Sequence, residues 1–97
     1  MDELRNEECK KMVSKKFIIK NDQGLHSRPA NTFVKECVRY DCDIKLIRSG
    51  QECNAKSILQ ILTACIKQGH EVEIICSGKD ENQAMSGITA LIETGLG

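Results

Sequence analysis

Ninety-seven residues are enough for one modest hydrophobic core and no second domain. Fourteen basic residues balance fourteen acidic ones and only three aromatics occur (Phe17, Phe33, Tyr40), which argues against a nucleic-acid backbone or stacked bases as partner. No apolar run approaches the roughly 18 residues of a membrane span and no signal-peptide core follows the first residues, so a cytoplasmic location is expected.

Residues 1–12, "MDELRNEECKKM", carry seven charges and little apolar surface. They read as a charged, flexible N-terminal extension that has too little to bury to offset its ordering entropy. Residues 13–97 read as one domain. Within it "KKFIIK" (15–20) predicts a strand that ends at the turn "NDQG" (21–24). A helix is predicted from Pro29, which suits a first helical turn, with Ala30, Phe33, Val34, Cys37 and Val38 on its apolar stripe. "CDIKLIRSGQECNA" (42–55) predicts a hairpin turning at Ser49-Gly50.

"SILQIL" (57–62) predicts a short helix with Ser57 and Gln60 in capping-box register, and Gly69 closes the segment after it. "EVEIICS" (71–77) alternates Val72, Ile74 and Cys76 against Glu71, Glu73 and Ile75, giving a strand with one buried face. Asp80 is the expected cap of a last helix whose stripe is Ala84, Met85, Ile88, Leu91 and Ile92, stopped at Gly95. The order is β-α-β-β-α-β-α. Strands with one polar face favour an antiparallel sheet with helices on one side only, an open-faced two-layer α+β domain.

Six cysteines (9, 37, 42, 53, 65, 76) are present, yet no Cys-x-x-Cys occurs and the spacings match no zinc pattern. Cys37, Cys53, Cys65 and Cys76 lie among apolar residues, where cysteine serves as a small hydrophobe, so free thiols and no metal are expected. No G-x-x-x-x-G-K-[ST] or G-x-G-x-x-G occurs, so neither a nucleotide nor another cofactor is expected. His70, beside Gly69 at a strand entry, reads as a solvated turn residue.

"GLHSRPAN" (24–31) concentrates chemistry. Residues just before a helix's first turn sit beside backbone N–H groups with no partner inside the helix, and those donors suit a phosphate. Arg28 adds a permanent charge with a fork that matches phosphate oxygens, and a neutral His26 imidazole is a nucleophile. Spacing alone leaves two readings open: a histidine that accepts a phosphoryl group, and a surface turn histidine with Ser27 as an ordinary cap. The plainer one is the commoner in short polar loops.

"GLHSRPA" resembles the active-site signature of the histidine-containing phosphocarrier proteins (HPr) of the phosphoenolpyruvate:sugar phosphotransferase system. "NAKSILQIL" (54–62) is similar to that family's second signature, and "GKDENQA" (78–84) to its entry into the last helix. The resemblance covers about residues 13 to 97.

It implies an open-faced β-sandwich whose four-stranded antiparallel sheet has the order 1-4-2-3, with three helices on one face. It further implies that His26 takes a phosphoryl group on Nδ1 from phosphorylated enzyme I and passes it to the A domain of an enzyme II. Arg28 and the N–H groups of Ser27 and Arg28 would hold the phosphate. Such a protein is a phosphoryl-transfer carrier acting as a monomer, rather than an enzyme turning over a small molecule.

Ile58, Leu59 and Leu62 would form the docking patch for enzyme I and enzyme II domains, with Ile61 inward. Ser57, whose plain role is helix N-cap, would be the regulatory site for HPr kinase/phosphorylase. The alternative reading is a regulatory HPr-like binding module, dependent on Ser57 or belonging to a nitrogen-type phosphotransferase chain. Two departures stand out: Ser27 where alanine or threonine is frequent, and Cys65 where many members have glycine, which is expected to alter the turn's backbone.

Overall fold

A computed structural model describes residues 12–20, 24–26 and 28–94. The extension read at 1–12 falls outside these apart from Met12, as do Cys9, Ser27 and the helix stop at Gly95. The alternating sequences fold as four strands, β1 (Val13–Ile18), β2 (Cys42–Arg48), β3 (Gln51–Asn54) and β4 (Glu71–Gly78). Between and after them come three helices, α1 (Arg28–Val38), α2 (Ile58–Thr63) and α3 (Glu81–Thr94).

The strands form one sheet in the order β1-β4-β2-β3, and every neighbouring pair is antiparallel. Register places Phe17 against Val72, Lys15 against Ile74, Ile44 against Cys76 and Leu46 against both Ile74 and Cys53. Because side chains alternate along a strand, these pairings put Phe17, Ile44, Leu46, Cys53, Val72, Ile74 and Cys76 on one buried face. The opposite face carries Lys16, Glu73, Lys45 and Glu52, so only one side of the sheet is covered.

The helices close that side with Ala30, Phe33 and Cys37 of α1, Ile61 of α2, and Ala84 and Ile88 of α3, none of them accessible to solvent. Removing a buried aromatic such as Phe33 typically costs about 3–5 kcal/mol, because the cavity left behind relaxes only partly.

Element edges differ from the sequence reading for visible reasons. β1 starts at Val13, not Lys15, because Val13 and Ser14 pair with Cys76 and Ile75. Its partner changes after Ile18: Ile19 donates its N–H to the His70 carbonyl (3.0 Å) and accepts from Gly69 N–H (2.7 Å). Val38 is not on the buried stripe; it is the last residue of α1, 54% exposed, where the helix has run past its packing partners. The hairpin turns at Ser49 (φ 53°) and Gly50 (φ 81°), both positive as a tight two-residue turn requires.

Three cap and turn expectations are corrected. Ser57 Oγ accepts from Gln60 N–H at 3.3 Å, but the Gln60 side chain does not return to Ser57; its Oε1 accepts from Asn54 N–H at 2.8 Å. Only half of the capping box is made. Asp80 precedes α3 and its carbonyl accepts the Ala84 N–H, while its carboxylate turns to the Asp41 N–H at 2.8 Å instead of the helix's own donors. Cys65 leaves the turn after α2 unaltered by adopting φ 55° itself, in the left-handed region where glycine is the usual residue.

His70 is half-buried and not simply solvated: its Nδ1 accepts from Lys67 N–H at 2.9 Å and lies 3.0 Å from Arg48 Nε. Cys37, Cys42, Cys53 and Cys76 are free and buried, whereas Cys65, read as apolar-embedded, is exposed.

Candidate functional site

The site is built where the chain leaves β1 and enters α1. Leu25 is buried to 1% exposure and its N–H donates to the Ile66 carbonyl at 3.0 Å. With its neighbour pinned in the core, His26 is exposed, its ring on the solvent side two residues before α1.

α1 starts at Arg28, with Pro29 buried in its first turn. That turn contains no acidic residue, so no carboxylate of its own competes for the N–H groups and positive dipole end there. Arg28 is exposed, and among the described residues neither it nor His26 is engaged by a side-chain hydrogen bond or ion pair. The arrangement therefore puts an accessible histidine two residues before an available guanidinium at a helix end suited to an anion. The Ser27 amide, expected to help hold the phosphate, lies outside the described residues.

α2 supplies the second set of expected residues. Ser57 stands at its N-cap with extended backbone (φ −107°, ψ 112°), half-buried. Ile61 is fully buried, Leu59 is 71% exposed, Ile58 is 36% exposed, and Leu62 is half-buried against the core. The apolar surface expected on this helix is thus present and centred on Leu59.

Sequence reasoning missed what joins the two sets. α2 is followed by Ala64, Cys65 and Ile66, and it is the Ile66 carbonyl that holds Leu25 next to His26. Gly24 (φ 63°) lies so close to the Ile66 carbonyl oxygen and to Lys67 Cα that a β-carbon could not be added without displacing that backbone. The glycine before Leu25 was a signal for such an approach, but nothing in the sequence names its partner.

No group of three or more histidine, cysteine or acidic side chains among the described residues is arranged to hold a metal. No helix among them is long and apolar enough to cross a membrane.

Comparison with known proteins bears on the same residues. The family model "PTS HPr component phosphorylation site" matches residues 13–94. The chain belongs to the HPr family. It is 39% identical over 83 residues to the phosphocarrier protein HPr of Borreliella burgdorferi, a match covering 86% of this chain and 96% of that one. It is 38% identical over 84 residues to a multiphosphoryl transfer protein of Haemophilus influenzae; that match takes 84% of this chain but spans only 17% of the relative's length.

Among solved structures, HPr-C-His from Thermoanaerobacter tengcongensis superposes with a TM-score of 0.83 at 34% identity, covering 84% of this chain and 92% of that one. The family fold, with its sheet order and three helices, is the fold of this HPr protein, and a phosphocarrier role follows from membership.

Proposed function

We propose that this HPr protein carries a phosphoryl group on His26, taking it from phosphorylated enzyme I and giving it to an enzyme II A domain. The observation that carries this reading is the exposed His26, two residues before the exposed Arg28 that opens α1, within the segment matched by the family model. The Nδ1 lone pair of neutral His26 attacks phosphorus, a new N–P bond forms, and the donor's bond to phosphorus breaks with its electron pair returning to the donor. The Nε2 proton of His26 stays in place throughout, so the step needs no general base. Arg28 and the helix end offset the phosphate charge.

A surface site suits this role, because a second protein must reach the same phosphorus to remove it. Leu59 and its neighbours Ile58 and Leu62 would seat both partners, one after the other. The protein acts as a monomer within each complex.

Ser57 is proposed as the point of control by HPr kinase/phosphorylase. Among the described residues its hydroxyl is bound only through the Gln60 amide, so modification costs one weak cap bond and places about two negative charges beside the Leu59 patch. Added charge there opposes apolar docking.

Incubation with phosphoenolpyruvate and enzyme I tests the carrier role: one acid-labile, base-stable phosphate is expected, absent in His26→Ala and retained in Ser57→Ala. Equal labelling of His26→Ala with the same lability would refute the site. Incubation with ATP and HPr kinase tests control separately, since no acid-stable label on Ser57 ends that part of the proposal.

A further inference from the structure

The segment bearing His26 rests on the loop that follows α2. Both stems are attached to it: Ile19 N–H to the His70 carbonyl at 3.0 Å, Gly69 N–H to the Ile19 carbonyl at 2.7 Å and Gln68 Nε2 to the Lys20 carbonyl at 2.9 Å on the incoming side, and Leu25 N–H to the Ile66 carbonyl at 3.0 Å on the outgoing side. The loop is itself braced. Ile66 is buried to 1% exposure, and His70 Nδ1 takes the Lys67 N–H at 2.9 Å while facing Arg48 of β2. A loop tied this way to the sheet at one end and to α2 at the other has little freedom to move independently of either.

From this geometry we infer that Ile66 is a positioning residue for phosphoryl transfer, its carbonyl fixing where His26 stands, and that Gly24 is the residue that allows the close approach. The inference rests on the carrier role of His26 proposed above. Leu25 connects the two directly: its N–H is held by Ile66 and its next residue is the nucleophile. A phosphoryl acceptor must meet phosphorus in line, and small misplacements of a reacting group lower rate steeply while leaving binding surfaces intact. Ile66 is itself buried, so it acts through the backbone of Leu25.

The test uses the full chain and separates positioning from stability. Gly24→Ala forces a methyl group against the Ile66 carbonyl. Phosphoryl transfer from enzyme I is measured over a range of enzyme I concentrations at a temperature where circular dichroism shows the variant folded. The expected result is a maximum rate lower by roughly tenfold to a hundredfold, with a far smaller change in KM because Leu59 is untouched.

A second variant replaces the amide linking residues 24 and 25 by an ester, installed by ligation at Cys37, so that one N–H is lost and no side chain changes. Its maximum rate is expected to fall about fivefold. If Gly24→Ala does not fold, the ester variant decides alone. Wild-type maximum rates in a folded Gly24→Ala, or in the ester protein, would overturn the inference while leaving the carrier role standing. Unphosphorylated wild type, or a phosphorylated His26→Ala, would instead refute the carrier role.

Discussion

The Tyr40 hydroxyl donates to the Glu36 carboxylate at 2.6 Å, one helical turn back along the chain, and the pair lies directly over Gly87 of α3. The absence of a side chain at Gly87 is what lets the end of α1 pack this closely against the last helix. Glu36 also holds Arg39 at 3.0 Å, so a single carboxylate organises the exit from α1. The hydrogen bond to the carboxylate, helped by desolvation, pushes the phenol's ionisation above the ordinary value of about 10. Tyr40 is the only tyrosine, so ultraviolet titration reads it alone. The wild-type transition is expected above that of free tyrosine, and in Glu36→Gln it should move down towards it.

Cys65 gives a stability prediction of unusual sign. A side chain at φ 55° crowds its own backbone, by about 1–2 kcal/mol for an ordinary residue, whereas glycine is unstrained there. Part of that gain is lost to the freer unfolded chain, by roughly 0.4–1 kcal/mol. Cys65→Gly should therefore stabilise by about 0.5–1 kcal/mol in denaturant unfolding, and Cys65→Val should destabilise.

Buried thiols contribute to the loss of stability expected at alkaline pH. Burial, reinforced by Cys42 and Glu81, pushes the Cys76 thiol up from 9.0 to about 11, and burial pushes Cys37 up further still. The unfolded chain loses these protons at lower pH than the folded protein does. Stability is therefore fully present below about pH 9 and falls as pH rises towards 11. Thermal unfolding midpoints should drop across that window. Tyr40 and Lys45, both raised, act in the same direction, so the contribution of Cys76 is read from the shallower pH dependence expected of Cys76→Ala.

Leu59 tests the docking surface. At 71% exposure its replacement by aspartate should change stability by less than about 0.5 kcal/mol. Under the proposed function, Leu59→Asp raises the KM for enzyme I by roughly tenfold or more with little change in maximum rate. An unchanged KM would remove Leu59 from the interface.

The parts of this molecule legible in its sequence are those whose partners repeat at a fixed period. Phe33 and Cys37 on α1, Ile44 and Leu46 on β2, and Val72, Ile74 and Cys76 on β4 announce their buried faces by spacing alone, and all are buried. His26 and Arg28 stood out as candidates because both lie in one short segment at a helix start that proline marks, but spacing alone did not choose between a phosphate carrier and a plain turn histidine; the resemblance of that segment to a family signature did. Interactions across the chain were not legible. The Gln60 side chain satisfies its capping pattern on paper, but Asn54 N–H, released by the end of β3, lies within its reach. His70 looks like a turn histidine until Arg48, on a strand 22 residues earlier, is brought beside it. The link from Ile66 to Leu25 leaves no periodic trace at all, since it is made by backbone atoms.

The central claim is that His26 is the transient phosphate carrier, and the two histidines of the chain allow it to be watched directly. Nitrogen-15 NMR of histidine-labelled protein, followed during turnover with phosphoenolpyruvate and enzyme I, should shift the Nδ1 resonance of His26 and leave His70 in place. Adding an unphosphorylated enzyme II A domain should return it. A phosphate on His70, on a serine, or one on His26 that the A domain cannot remove would contradict the account.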